Sequence, residues 1–364
     1  MPLSPTQDSQ QTPTATGATG LYWFPTEGAG GALGLTVEPL TVVWPQGQRV
    51  SWNFSGCDLC WQAATMVALP ALALPPEGTV ARSEGGGGAL GEPQRLHWRL
   101  ESRDRQVPLP SEGWPLASWR DCPPPLTVTG AIALEHWHFQ SASGLWSPAT
   151  GPILHGVIER WLAQQVWRAA GGAQQFALTL GPSASLAPAL LLSPESLAAL
   201  ASILGEGGPL PELLAKGGRS LGDLAAIAGL NCQTDFAGGS LMGASLAGLD
   251  WSGATLAGIN LRGATLNDAD LSHCNLTGAR LAGADLSGAY VAEANFRGAD
   301  LRRSSLALAN LNGADLTSAD LRGANLSQVN LRGAIVTGTR FGENEGLSSA
   351  ALGELRDRGA LVTP

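Results

Sequence analysis

The chain has 364 residues, of which 14% are charged, and a formal net charge of −9 at pH 7. This length has room for two or three domains. The 30 acidic residues outnumber the 21 basic ones and no segment is strongly basic, which argues against a nucleic-acid binder held by electrostatic attraction. Five cysteines are too few, in a chain this long, for a small secreted domain held together by disulfides.

The first twenty residues are polar and rich in Ser, Thr, Gln and Pro. They lack the basic start and the apolar core of a secretory signal, so we predict a disordered tail over residues 1–20. The longest apolar stretch, residues 63–74, is too short to cross a bilayer and contains Pro70. We therefore expect a cytoplasmic protein without a membrane span.

Short runs of β-forming residues alternate with Pro and Gly in the next part of the chain. The strand candidates are residues 35–37, 40–44, 50–54, 95–100 and 126–139, and a Gly-rich loop or linker is predicted at 82–93. An apolar stripe at helical spacing predicts a helix over residues 155–170. Together these signals predict an α+β N-terminal domain over residues 21–190.

Residues 191–235 carry a second set of helix signals. Ser193, Pro194 and Glu195 supply an N-cap, a proline at the first helical position and a first-turn acid. Two further short helices are predicted at 211–216 and 221–228. We predict a helical connector over residues 191–235.

From Phe236 to Phe341 an apolar residue returns at every fifth position, 22 times in succession, and 16 of these central residues are Leu. Two positions earlier stands a small residue, Ala in 14 of the 22 units, and two positions later Gly is the most frequent residue. In extended chain, residues two apart face the same side, so the Ala and the Leu point inward and the polar residue between them faces water. A period of five also needs a turn in every unit, for which Gly supplies left-handed backbone. The pattern predicts a coil of short strands around an interior of Leu and Ala.

Units such as Ala-Asp-Leu-Ser-Gly at 284–288 and Ala-Asn-Leu-Ser at 324–327 closely resemble the pentapeptide-repeat family. The resemblance implies a right-handed quadrilateral β-helix over residues 236–341, with one unit on each side of the coil. The family is especially numerous in cyanobacteria. A cyanobacterial source with a GC-rich genome would suit this chain, in which all basic residues but Lys216 are Arg.

The open ends of a β-helix would leave Leu side chains and backbone donors facing water. We therefore predict that residues 191–235 cap the start of the repeat. Residues 342–364 are predicted to form a C-terminal capping helix that closes with Arg356, Arg358 and Gly359. Its apolar face either covers the last coil or mediates a homodimer.

Cys57 and Cys60 have a spacing typical of metal or redox sites. A zinc site would need further ligands, and the candidates are Cys122 with His97, His136 or His138. A thioredoxin-like site would need a helix that starts inside the pair. We favour a buried or incidental pair, and Glu135 to His138 is predicted to form a half-exposed strand edge. We find no catalytic constellation, and we predict neither enzyme activity nor a cofactor.

Single side chains carry two further predictions. Cys274 occupies a small inward slot of the repeat, so we expect a buried and inert thiol. Arg280, Tyr290, Ile335 and Arg340 replace the usual polar residue and should be exposed. Eleven of the twelve tryptophans precede the repeat, and most of them are expected to fill the core of the N-terminal domain.

Every fourth unit lies on the same side of a four-sided coil, which gathers seven charged residues on one face. They are Arg262, Arg280, Asp300, Arg302, Asp320, Arg322 and Arg340. One interpretation is a solvated ladder of weak ion pairs. The other is a docking face whose arginines pair with carboxylates on a partner.

We predict a non-enzymatic scaffold or adaptor for protein–protein interaction, with the β-helix as a rigid rod and the N-terminal domain as the source of specificity. One alternative is an N-terminal metal or redox activity at Cys57 and Cys60. Another follows from the resemblance, because some family members protect DNA gyrase by mimicking DNA with an acidic surface. The repeat here has eight Arg and eight acidic residues and is neutral, which argues against such a mimic.

Overall fold

The computed structural model describes residues 14–16, 19–25, 31–37, 40–43, 49–54, 56–63, 79–84, 94–102, 114–119, 126–133, 136–143, 151–170, 172, 176–180, 209–216 and 218–363. The helix predicted from Ser193, most of the Gly-rich stretch and Cys122 lie outside these residues. Among the described helices, none is long and apolar enough to cross a membrane.

The strands before the repeat pair antiparallel in three sheets. Within the described residues they are β1 (Thr14–Thr16), β2 (Thr19–Pro25), β3 (Gly31–Val37), β4 (Leu40–Val43), β5 (Arg49–Phe54), β6 (Gly56–Ala63), β7 (Thr79–Glu84), β8 (Gln94–Ser102), β9 (Trp114–Trp119), β10 (Leu126–Ala131), β11 (Trp137–Ser143) and β12 (Phe176–Leu180). The strand orders are β1-β4-β5-β11, β2-β3-β9 and β12-β10-β6-β8-β7.

Three local predictions in this part of the chain are wrong. Residues 14–16 lie in β1 instead of a disordered tail, because their backbone pairs with that of β4, Thr14 opposite Val43. The single run predicted at 126–139 is two strands, β10 and β11. The Gly-rich stretch was expected to begin at Arg82, but β7 continues to Glu84.

Aromatic side chains join the strands to the first helix. Trp137 is fully buried and packs edge-on against Phe54, with ring centroids 5.0 Å apart. Its indole N–H donates to the Ile132 carbonyl at 3.2 Å, and the Trp167 N–H donates to the same oxygen at 2.9 Å. Trp137 and Trp161 are therefore core residues, as expected for the tryptophans of this region.

Three helices precede the repeat in the described residues: α1 (Pro152–Ala169), α2 (Leu210–Ala215) and α3 (Leu221–Ala228). α1 starts with Pro152 at the first helical position, where the missing N–H is not needed. α3 starts at Ser220, whose hydroxyl accepts from the Asp223 N–H at 3.2 Å, and ends at Gly229 with a left-handed φ of 67°. α1 packs against α2, α3 and β11.

The repeat forms a coil whose backbone pairs with itself at a separation of 20 residues. Parallel bridges run from Ser240↔Asn260 to Asn325↔Glu345, one for each pentapeptide. Four bridges therefore belong to each coil, which gives it four sides. Of the 22 central residues only Leu331 is half-buried, and the others are buried.

The polar residue before each central residue does more than face water. In most units where it is Asp or Asn, its side chain accepts the backbone N–H two positions later, as in Ser272 N–H to Asp270 Oδ1 at 2.9 Å and Ser287 N–H to Asp285 Oδ1 at 3.0 Å. This local bond stabilises the turn in those units and explains the preference for Asp and Asn in that slot. The corner itself has positive φ, and non-Gly residues such as Arg303 and Leu308 adopt it where Gly is absent.

The chain ends with α4 (Ser349–Asp357) and the short parallel pair β13 (Arg340–Phe341) and β14 (Leu361–Val362). Ser348 caps α4 by accepting the Ala351 N–H at 3.2 Å. Leu355 of α4 is buried with the repeat core, and the Arg358 guanidinium donates to the carbonyls of Leu331 and Ala334. This side of α4 thus lies against the last coil.

Candidate functional site

The structure brings the seven charged residues predicted for one face to the same side of the coil, and we call this set the charged face. Arg280, Asp300, Asp320 and Arg340 are successive bridge partners, each one coil above the last. Arg262, Arg302 and Arg322 follow two positions after that column, at the same corner. Stacked strands lie about 4.8 Å apart, so neighbouring charges on the face are within reach of one another.

Asp300 is the centre of the charged face. Its carboxylate accepts two hydrogen bonds from the Arg302 guanidinium, Nε to Oδ1 and Nη2 to Oδ2, both at 2.8 Å. Arg262 Nη2 lies 3.6 Å from Oδ2. The Asp300 side chain is only 11% exposed, whereas the side chains of Arg262 and Arg302 are 39% and 48% exposed. One nearly buried carboxylate thus orients two guanidinium groups that reach solvent.

The next coil repeats this arrangement. Asp320 accepts from Arg322 Nε at 2.9 Å and from Nη2 at 2.6 Å. Burial alone would raise the pKa of the Asp300 and Asp320 carboxyls, but hydrogen bonds from Arg302 and Arg322 more than offset it and hold each pKa below its usual value. The same pairing raises the pKa of Arg322. Both carboxylates are therefore ionised at neutral pH.

The outer members of the charged face differ from one another. Arg340 is exposed, as predicted, but Arg280 is half-buried, which corrects the expectation that it is exposed. Arg280 lies between Asn260 and Asp300 in the bridge column, where the neighbouring coils cover part of its side chain. Tyr290 and Ile335, on other sides of the coil, are 56% and 49% exposed, as predicted.

A cleft of about 680 Å³ borders the charged face, and we call it the arginine cleft. Its lining includes Arg302, Arg303, Arg322, Gly283, Gly323 and Gly342. Arg303 is absent from the predicted face because it occupies a corner slot, where the repeat pattern expects Gly. The signal was present in the sequence as a second Arg directly after Arg302.

Charge is distributed unevenly around the neutral repeat. The side of the repeat that holds the charged face and Arg303 carries six of the eight arginines of the repeat. It carries only Asp300 and Asp320 of the eight acidic residues, which gives a net charge of +4. The remaining sides carry Arg297, Arg332 and six acidic residues, a net charge of −4. The repeat therefore presents one positive side, which a count of its total charge does not show.

The cysteine and histidine candidates do not form the expected motifs. Cys57 and Cys60 both lie within β6, so no helix starts at the pair as a thioredoxin-like site would require. In the strand register Cys60 lies opposite His97 of β8 and Thr129 of β10. His136 is buried in a turn before β11, where its backbone N–H donates to the Ala133 carbonyl at 2.9 Å, so the predicted half-exposed strand edge is wrong for this residue. Among the described residues no group of three potential metal ligands comes together.

Cys274 is buried inside the coil, as predicted. Its thiol donates to the Trp251 carbonyl at 2.8 Å. Burial raises the pKa of this thiol to about 11, against smaller opposing effects of neighbouring backbone groups, so the reactive thiolate is scarce at neutral pH.

Comparison with known proteins adds the family of the repeat. The family model for pentapeptide repeats matches residues 240–278, 279–317 and 309–343, with eight copies. Residues 240–343 are pentapeptide repeats. The fold implied for this segment is a right-handed quadrilateral β-helix, consistent with the four bridges in each coil.

Several solved structures are similar to part of this chain. HetL, a pentapeptide repeat protein involved in heterocyst differentiation regulation from the cyanobacterium Nostoc, is 30% identical over 29% of this chain and 44% of its own, with a TM-score of 0.29. The match thus spans less than half of HetL. A pentapeptide repeat protein from the Arabidopsis thaliana thylakoid lumen is 30% identical over 32% of this chain and 79% of its own, with a TM-score of 0.23. Another pentapeptide repeat protein from Nostoc is 35% identical over 27% of this chain and 84% of its own, with a TM-score of 0.19. No curated protein matches the sequence.

Proposed function

We propose that this protein is a cytoplasmic, non-enzymatic scaffold for protein–protein interaction. In this proposal the charged face of the β-helix docks a partner protein, and the N-terminal domain over residues 21–190 adds specificity. The observation that carries the proposal is the pair of exposed guanidinium groups, Arg302 and Arg322, each oriented by a nearly buried carboxylate of its own coil.

Pre-orientation is what separates this face from an ordinary solvated surface. A free arginine side chain loses about 2 kcal/mol of rotamer entropy when it is fixed in an interface. Here two hydrogen bonds to Asp300 already restrict Arg302, and two to Asp320 restrict Arg322. Part of the entropy loss of binding is therefore incurred during folding, which favours association.

The contacts at both ends of the coil support a discrete rod instead of an end-to-end stack. At the first coil, Arg160 of α1 donates to the Asp235 carbonyl and Gln164 donates to the Asp235 carboxylate at 3.2 Å. The cap predicted from the sequence comprised residues 191–235, and these contacts support a contribution from α1 as well. We propose that α1 and α3 close one end and that α4 closes the other.

The proposal is tested by affinity purification from native lysate with the full-length chain. The test variant combines Arg280→Glu, Arg302→Glu and Arg322→Glu. The control combines Arg297→Glu and Arg332→Glu, which reverse charges on other sides of the same coil. A partner recovered by the wild type and the control, but lost by the test variant, supports docking at the charged face. Recovery by all three chains would move the binding site elsewhere and contradict the proposal.

A further inference from the structure

We infer that the arginine cleft binds an extended, acidic segment of a partner protein. This inference rests on the proposed function, because it names the chemistry of the partner that the charged face would dock. Three features carry it: the length of the cleft, the donors that line it and the charge around it.

The cleft follows one corner of the coil along the rod axis. Gly283, Arg303, Gly323 and Glu343 are each 20 residues apart, so they stack at that corner in successive coils. Three steps of about 4.8 Å span about 14 Å, which matches about four residues of extended chain at about 3.3 Å each. Gly283 in this column has open space beside it, which leaves room for a peptide backbone to lie close to the coil, whereas the Arg303 side chain lies over Gly323.

The donors at the cleft are positioned for carboxylates. Arg322 uses Nε and Nη2 to hold Asp320, which leaves its Nη1 N–H groups for a second acceptor. Arg303 is exposed and, within the described part of the chain, forms no ion pair. Arg303 occupies the corner of its unit, where its backbone has a positive φ of 56°. A carboxylate entering the cleft can therefore contact Arg303 and Arg322 together.

The charge pattern favours a short acidic peptide over a nucleic acid. The positive side of the repeat has a net charge of only +4, or +3 when Glu343 at the same corner is included, whereas the whole chain carries −9. A long polyanion would meet repulsion from the rest of the protein, but a segment with three or four carboxylates is affected less. Glu343 lies at one end of the cleft and repels an acidic side chain there. The acidic residues of the bound segment should therefore lie beside the arginines.

The test uses fluorescence anisotropy with the full-length chain and a labelled decapeptide in which Glu alternates with Ser. The same peptide with Gln in place of Glu, and a labelled single-stranded decanucleotide, serve as comparison probes. The variant is Arg303→Glu, which keeps the positive-φ corner occupied by a non-Gly residue and breaks no described ion pair. The matched control is Arg332→Glu, an exposed residue on another side of the coil with the same change of charge.

We expect saturable binding of the Glu peptide, weakened about fivefold or more by Arg303→Glu and less than twofold by Arg332→Glu, with little binding of the Gln peptide. An equal loss of affinity in the two variants would mean that the peptide is held by diffuse electrostatic attraction to the protein, and would overturn the inference. So would tighter, Arg303-dependent binding of the nucleotide, which would assign the cleft to a different ligand. If the peptide fails to bind but the charge-reversed face still loses its partner from lysate, this inference fails and the proposed function stands.

Discussion

The contact between α1 and the first coil can be tested by adding one methyl group. A Cβ atom at Gly156 would lie 2.7 Å from the Leu241 Cδ2 atom and closer still to the Ser240 carbonyl oxygen, so α1 must move away from the coil in a Gly156→Ala variant. Overpacking of this kind destabilises by about 1–3 kcal/mol. Ala is the better helix former by about 1 kcal/mol, which offsets part of that loss. We expect a net destabilisation of up to about 2 kcal/mol.

The same substitution in α4 provides the control. A Cβ atom at Gly353 meets nothing within 4 Å, so Gly353→Ala should stabilise by up to about 1 kcal/mol through helix propensity alone. Urea unfolding followed by far-UV circular dichroism and tryptophan fluorescence measures both changes. Opposite signs are expected for the two variants. A Gly156→Ala protein as stable as Gly353→Ala would show that α1 does not press on the coil.

Three further predictions concern single side chains. Burial raises the pKa of Glu159 to about 8, opposed in part by Arg160, so the stability that its neutral form contributes is complete below pH 4.5 and lost as pH rises through about 8. The melting temperature of Glu159→Gln should therefore rise relative to that of the wild type from pH 5 to pH 9. A difference in melting temperature that stays constant over this range would contradict this. Leu308 is 63% exposed at φ 62°, so Leu308→Gly should stabilise by about 0.5–1 kcal/mol in urea unfolding, whereas a loss would mean that the corner is unstrained. Peptide mapping after iodoacetamide at pH 8 should find Cys274 unmodified in the folded protein and modified in urea, and rapid labelling of the folded chain would refute its burial.

The repeat could be predicted because each of its positions has one role in every unit. An unbroken period of five determines which residues are inside, where the corners lie and which charges stack. The column from Arg280 to Arg340 can therefore be derived from the spacing of 20 residues between its members. Arg303 was missed because the repeat pattern assigns its position to the turn residue, which is usually Gly. The seven charged residues of the predicted face already sum to +3, but the sign of that face was not drawn because charges were summed only over the whole repeat.

The first half was less predictable for physical reasons. Residues of β3, β4, β5 and β8 were predicted as strands, whereas β6, β7 and β9 were missed. Composition alone does not separate the two groups, because β3 also contains Gly and β8 contains charged residues, and pairing with neighbouring strands decides which segments form strands. The contact of Gly156 with Ser240 joins residues far apart in the chain, and such a contact leaves no local pattern. Buried polar residues in α1, such as Glu159 and Arg160, look like a solvent-facing surface in the sequence alone.

Site-specific photo-crosslinking in native cells tests docking at the charged face most directly. A photoreactive amino acid would replace Arg303 in one chain and Arg332, on another side of the same coil, in a second. Our account predicts a discrete crosslinked partner protein from position 303 and none, or far less, from position 332. A partner crosslinked from position 332 and absent from position 303 would contradict it.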